Sequence, residues 1–254
     1  MENKITQAVI LSAGFGTRLK PLTDNIPKVM VPFSGKPLLQ WHIEQLKKHG
    51  VEEFFINLFY LPEVVKNYFG DGSKFGVKIN YFLEQPEILG TAGGIKDFSA
   101  KGGSASGGDG YLKNNFFVVY GDVFSLLDYT KMAESFLNNK DNPIGMTIVG
   151  FNDHPHDSDL VQVDKNLKFI KVYPKPNKEL PENWRAMRTT FVFNERILKY
   201  IPENKYYEID HQLLPDILSK GEKFYGYETT DYLKDIGTPE RYADVQKYLS
   251  EKGL

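Results

Sequence analysis

The stretch Val9-Ile-Leu-Ser-Ala-Gly-Phe-Gly-Thr-Arg-Leu-Lys-Pro-Leu-Thr-Asp-Asn-Ile-Pro-Lys28 decides how the rest of the chain is read. The apolar run Ala8 to Leu11 predicts a strand buried on both faces, broken at once by Gly14 and Gly16. Glycine lets the backbone turn sharply and lets a ligand approach the N–H groups, and Arg18 and Lys28 add two cations. Such a turn suits a polyphosphate. Two familiar phosphate patterns are excluded by spacing: Leu19 stands where a dinucleotide fingerprint needs its third glycine, and no Gly-Lys-Ser/Thr follows as a P-loop requires.

Working outward, Leu38, Leu39, Ile43 and Leu46 recur at helical spacing, and Gly50 ends that helix. Strands are expected at 54–58 and 77–82, with a helix at 62–69 between them. This alternation predicts a parallel sheet with right-handed crossovers. His42 and His49, on the first helix, are read as polar-face or capping residues. Glu84-Gln-Pro-Glu-Ile-Leu-Gly-Thr-Ala-Gly-Gly94 follows the third strand, and in such sheets ligands bind beyond the carboxyl ends of strands. Further strands are expected at 116–120, 145–150, 168–173 and 190–193, and helices at 208–218 and 244–249.

The 254 residues can bury a substantial core, and they are read as one domain spanning 1–254. A formal net charge of -2 excludes a broad nucleic-acid or anionic-membrane surface, so any phosphate affinity is local. The absence of cysteine removes disulfides and thiolate chemistry. No secretory leader and no apolar run of membrane-spanning length is visible, which makes the cytoplasm the default location. Residues 99–110 are Gly/Ser-rich and are read as a flexible surface insertion, either a lid or merely disordered.

Asp122 follows the most hydrophobic strand, and Asp235 follows another short apolar segment. On position alone, Asp122 suits a helix cap as well as a metal. Together, two strand-end carboxylates suit Mg²⁺, which fills its octahedron with phosphate oxygens and water. The carboxylates and imidazoles of 153–159 are read as a solvated loop rather than a metal cluster.

The first stretch, with the turn Lys20-Pro21-Leu22-Thr23 and then Pro27-Lys28, resembles the signature of the sugar-1-phosphate nucleotidylyltransferases, or nucleotide-sugar pyrophosphorylases. Leu89-Gly-Thr-Ala-Gly93 resembles the mannose-1-phosphate and D-glycero-D-manno-heptose-1-phosphate guanylyltransferase branches. Tyr232 to Tyr242 resembles the segment carrying the family's second magnesium aspartate. The resemblance implies an α/β, Rossmann-like fold with a mixed, mainly parallel central sheet flanked by helices, without the β-helix domain of longer relatives. It implies transfer of a nucleotidyl group from an NTP to a sugar 1-phosphate, with release of pyrophosphate.

The site residues implied follow from the same motifs. Leu11, Ala13, Gly14, Gly16 and Thr17 would hold base and triphosphate, Arg18 the leaving pyrophosphate, and Lys28 the α-phosphate and incoming phosphate. Asp122 and Asp235 would hold Mg²⁺. Lys175 would guide the acceptor phosphate, although Pro174 replaces the glutamate of the family's Glu-Lys-Pro, and Thr189 falls where the sugar pocket usually has Asn-Ala-Gly. Glu84 or Gln85 is expected to accept from guanine, with Gly90, Gly93 and Gly94 leaving room for a purine. The best reading is GTP with a manno-configured hexose or heptose 1-phosphate. The alternatives are a cytidylyl-, uridylyl- or thymidylyltransferase acting on phosphocholine or glucose 1-phosphate, and a non-catalytic nucleotide sensor. The oligomeric state is not indicated.

Overall fold

The computed structural model describes residues 4–99 and 111–254, so nearly all of the Gly/Ser-rich stretch lies outside the described residues. The decisive strand forms as β1 (Gln7–Leu11) and takes the middle of a nine-stranded sheet. Ala8 and Ile10 face one apolar core and Val9 the other, which is why the run is continuously hydrophobic.

A short hairpin of β2 (Pro32–Phe33) and β3 (Lys36–Pro37) leads into α1 (Leu38–Lys48), β4 (Glu53–Leu58), α2 (Pro62–Phe69) and β5 (Lys78–Leu83). Then come α3 (Gly90–Lys96), β6 (Asn115–Tyr120), β7 (Val123–Ser125) and α4 (Tyr129–Leu137). β1 pairs in parallel with β4 and β6, and β4 in parallel with β5. The register sets Leu11 beside both Asn57 and Tyr120, so these strands end on one edge.

The second half supplies β8 (Gly145–Gly150), β9 (Leu160–Val163), β10 (Phe169–Tyr173), β11 (Trp184–Asn194), α5 (Leu214–Ser219), β12 (Phe224–Glu228), β13 (Leu233–Asp235) and α6 (Pro239–Lys252). β11 runs antiparallel to β6, β8 and β9, which makes the sheet mixed. Its register shifts between Met187 and Phe191, a bulge beside the site edge. A separate two-stranded ladder joins β13 to β7. Leu19, Phe33, Phe124, Ile236, Val245 and Leu249 form a third core, which ties α6 and this ladder to the segment after the glycine turn. Each fully buried Phe there contributes about 1.5–3 kcal/mol, enough to hold the small ladder in place.

Three expectations change. His42 is 2% exposed rather than on a polar face, and burial pushes its pKa down to about 4. The expected 208–218 helix opens with a π-helical turn at Ile209–Leu213 before α5, where Pro215 has no N–H to donate. The last helix starts at Pro239 rather than 244 because Thr238 caps it, its side chain accepting from the Arg241 N–H. His49 does end α1 as expected, its Nδ1 lying 2.8 Å from Thr130 Oγ1. Among the described residues, no helix is long and apolar enough to cross a membrane.

Candidate active site

The glycine turn is pinned from three sides. The Ser12 N–H donates to Asn57 Oδ1 (2.7 Å), the Gly121 N–H donates to the Leu11 carbonyl (2.8 Å), and Thr23 Oγ1 donates to the Gly16 carbonyl (2.8 Å). Gly16 sits at φ +65°, and a Cβ there would lie 3.0 Å from Lys28 Cβ and 3.1 Å from Thr23 Cγ2. Only glycine fits this fold of the turn. A cavity of about 420 Å³ opens on this edge of the sheet. Leu11, Ala13, Gly14, Gly16 and Thr17 line it, as expected, and Arg18 and Lys28 place two cations on its wall.

Lys28 is 8% exposed, and its Nζ lies 2.7 Å from Asp122 Oδ2, also on the cavity wall. The β7–β13 ladder brings the other carboxylate alongside: Asp235 pairs with Val123, and the Ile236 N–H donates to the Asp122 carbonyl at 2.9 Å. Asp235 itself does not line the cavity. Arg241 Nη1 donates to both of its oxygens at 2.5 Å, and the Gly237 N–H donates to Oδ1 at 3.0 Å. Burial alone would raise the Asp235 pKa, but these hydrogen bonds outweigh it and hold the carboxyl below its usual range. Gly237 does line the cavity, and a Cβ there would stand 3.2 Å from Arg18 Nη2.

Asp122 and Asp235, carried on paired backbone segments, are the donor type that suits Mg²⁺, an ion that takes one or two protein carboxylates and finishes its shell with phosphate and water. Among the described residues, no group of three or more metal-type side chains offers an alternative site.

The wall expected to read the base is built differently. Glu84 reaches the cavity but is 0% exposed as a residue. Asn57 Nδ2 donates to its Oε1 (2.6 Å) and the Leu89 N–H to its Oε2 (2.7 Å). Burial raises its pKa against both bonds. Glu84 therefore buttresses the loop into α3, rather than presenting a free acceptor for guanine. Gln85 is exposed and does not line the cavity.

The glycines also make room for the protein's own chain. A Cβ on Gly90, a cavity residue at φ +79°, would meet the Tyr207 carbonyl at 2.7 Å, and one on Gly93 would meet the Lys205 carbonyl at 2.9 Å. A Cβ on Gly94 would meet Glu84 Oε1 at 2.6 Å. The segment 205–207 thus straps across the start of α3, where the Ala92 and Gly93 N–H groups donate to the Tyr207 carbonyl at 2.9 and 3.0 Å.

On the acceptor side, Lys175 does not reach the cavity wall. Its Nζ lies 3.2 Å from Asp159 Oδ2, and its N–H donates to Asp159 Oδ1 at 3.1 Å. Thr189 lies within the β11 bulge, also off the cavity wall. Tyr120, Thr91, Tyr206 and Glu208 line the cavity without having been expected there. A Tyr before Gly-Asp and a Glu opening a helical stripe carry no spacing that marks them. Asn57 also lines the cavity, and a polar residue inside the apolar run of β4 was its one available signal, whereas Arg241, on α6, acts one contact further out through Asp235.

A mixed sheet whose parallel strands end beside one cavity carrying a glycine turn, Arg18, Lys28 and Asp122 defines an α/β protein with a ligand-sized site at the carboxyl edge of its strands. A family model described as nucleotidyl transferase matches residues 7–252, and the chain belongs to that family. Its relatives include a mannose-1-phosphate guanylyltransferase of Mycobacterium tuberculosis, 31% identical over 92% of this chain and 62% of its own length. A D-glycero-alpha-D-manno-heptose 1-phosphate guanylyltransferase of Campylobacter jejuni is 32% identical over 93% of this chain and 96% of its own. A UTP–glucose-1-phosphate uridylyltransferase of Synechocystis is 29% identical over 97% and 64%. The chain thus spans less than two thirds of the length of the Synechocystis and Mycobacterium proteins. HddC from Yersinia pseudotuberculosis, solved in complex with GMP-PN, superposes with a TM-score of 0.72 at 26% identity, covering 96% of this chain and 100% of that one.

Proposed function

We propose that this chain transfers a nucleotidyl group from an NTP to a sugar 1-phosphate, giving an NDP-sugar and pyrophosphate. One observation carries the reading: Arg18, Lys28 and Asp122 converge with the glycine turn on a single cavity at the carboxyl edge of the parallel strands. In the reaction, an acceptor phosphate oxygen attacks the α-phosphorus, and the bond from that phosphorus to the bridging oxygen of the β-phosphate breaks. Pyrophosphate leaves with the electron pair, so no protein nucleophile is needed. Catalysis then rests on positioning and charge neutralisation.

The turn N–H groups cradle the triphosphate, Arg18 takes the leaving pyrophosphate, and Lys28 bridges the α-phosphate and the incoming oxygen. Asp122 and Asp235 hold Mg²⁺, which when bound neutralises phosphate charge. Thr189 borders the sugar, and Lys175 meets the acceptor phosphate on leaving Asp159. The nucleotide is GTP and the acceptor a manno-configured hexose or heptose 1-phosphate. The guanylyltransferase relatives and the GMP-PN complex of HddC support the base, now that Glu84 is otherwise engaged.

A pyrophosphate-release assay across GTP, UTP, dTTP and CTP with mannose, heptose and glucose 1-phosphates and phosphocholine tests this. Preference for GTP with a manno sugar is expected. Preference for CTP with phosphocholine, or for UTP or dTTP with glucose 1-phosphate, rejects the assignment.

A further inference from the structure

Away from the phosphate end, the cavity wall carries a carboxylate that the transfer step does not use. Glu208 lines the cavity with its side chain 34% exposed. Tyr206 Oη donates to Glu208 Oε1 at 2.7 Å, and His211 Nδ1 lies 3.4 Å from Oε2. His211 Nε2 lies in turn 3.0 Å from Asp159 Oδ1, and Asp159 Oδ2 lies 3.2 Å from Lys175 Nζ. These contacts run unbroken from the cavity wall to the lysine assigned to the acceptor phosphate. Glu208 therefore looks into the cavity from the acceptor side.

Its backbone is fixed as firmly as its side chain. The Tyr207 N–H donates to the Leu89 carbonyl (2.8 Å), the Glu208 N–H to Gln212 Oε1 (2.8 Å) and the Ile209 N–H to Thr91 Oγ1 (2.8 Å). The cavity's other carboxylates have partners at short range: Asp122 faces Lys28, and both Glu84 oxygens accept from Asn57 and Leu89. Tyr120 Oη is turned toward Asp210 Oδ2, 3.3 Å away. A carboxylate is an acceptor with about four lone-pair sites, and one contact at each oxygen leaves Glu208 able to take neighbouring hydroxyls. O–H···O⁻ bonds to an ionised group are roughly twice as strong as neutral ones.

We infer that Glu208 is the specificity-determining residue for the acceptor, reading sugar hydroxyls, with Tyr206 and His211 as the positioning residues that aim it. This inference rests on the sugar-1-phosphate reading above. An acceptor lacking the hydroxyls that Glu208 reads leaves the remaining acceptor sites of a partly buried carboxylate unfilled, which corresponds to about a 10- to 100-fold loss.

The test compares kcat/KM for the best sugar 1-phosphate and its monodeoxy analogues at saturating NTP, in wild type, Glu208→Ala, Glu208→Gln and Tyr206→Phe. Wild type is expected to discriminate against at least one deoxy analogue by about 10- to 100-fold. Glu208→Ala should accept parent and analogue nearly equally, with its NTP KM unmoved. Glu208→Gln, which keeps one acceptor oxygen, should fall between, and Tyr206→Phe should weaken discrimination without abolishing it. Melting curves confirm that each variant is folded, and should Glu208→Ala fail to fold, the isosteric Glu208→Gln carries the comparison. A sugar-accepting enzyme whose variants discriminate as the wild type does overturns this inference alone. A wild type that uses phosphocholine and no sugar 1-phosphate overturns the parent reading, and this inference with it.

Discussion

Asn57 Nδ2 donates to Glu84 Oε1 across 2.6 Å, and both residues are buried. Asn57 also accepts from the Ser12 N–H, while Glu84 accepts from the Leu89 N–H. One hydrogen-bonded strut therefore joins the ends of β1, β4 and β5 to the loop that opens α3. Replacing Asn57 with Ala leaves the Ser12 N–H and one Glu84 oxygen buried without their partner. Each such group costs about 1–3 kcal/mol, and for a chain of this size the melting temperature should fall by roughly 2–4 °C per kcal/mol. An unchanged melting temperature in Asn57→Ala would falsify the strut.

Lys28 is the most buried cation on the cavity wall, and it lies against Asp122. Lys28→Ala is expected to lower turnover by about 10²-fold or more, the scale for losing one preorganised charge-stabilising group. Stability should change little, because the side chain faces a cleft rather than a core. Circular dichroism melts beside steady-state kinetics separate the two effects; near-normal turnover, or an unfolded variant, rejects the role.

Asp122→Asn and Asp235→Asn keep volume and remove charge, so each should raise the Mg²⁺ concentration needed for half-maximal activity and lower the maximum. Each substitution also removes an ion pair, Asp122 with Lys28 and Asp235 with Arg241, so both variants should melt below the wild type. A Mg²⁺ titration at fixed NTP reads the first effect. Full activity of either variant at limiting Mg²⁺ removes that residue from the metal site.

Burial, reinforced by the neighbouring Asp159 charge, pushes the Asp210 pKa up to about 7. Above the ordinary carboxyl range and below that value, the folded protein holds a proton that the unfolded chain has released. The group's contribution to stability is therefore complete in acid and is lost as pH rises through about 7. Asp210→Asn cannot titrate, and its amide oxygen still accepts from Tyr120. Urea unfolding between about pH 5 and pH 8 should show the wild type losing stability relative to this variant as pH rises. Parallel curves would place Asp210 in a more solvated setting.

The glycine turn and its two cations are legible in the sequence because short-range spacing fixes them. Gly14, Gly16, Arg18 and Lys28 belong to one local loop, and Asp122 is two residues past a strand whose apolar run announces it. What stays hidden is what comes from across the sheet. A glycine shows that something approaches closely but not what does: at Gly90 and Gly93 the visitor is the backbone of Lys205 to Tyr207, far along the chain. Glu84 looks like a free acceptor until Asn57, on the neighbouring strand, is seen to occupy it. Lys175 looks like a cavity cation until Asp159 is seen to hold it at the rim.

The β7–β13 ladder has a consequence for the protein's own synthesis. It unites Asp122 with Asp235 and its partner Arg241, which leave the ribosome well after Asp122 does. A ribosome that has released the glycine turn, Lys28 and Asp122 has made only half of the carboxylate pair. The second half arrives together with α6 and the apolar cluster of Phe124, Ile236, Val245 and Leu249. Docking of α6 is thus the step that completes the carboxylate pair, and a nascent chain stays incomplete until then.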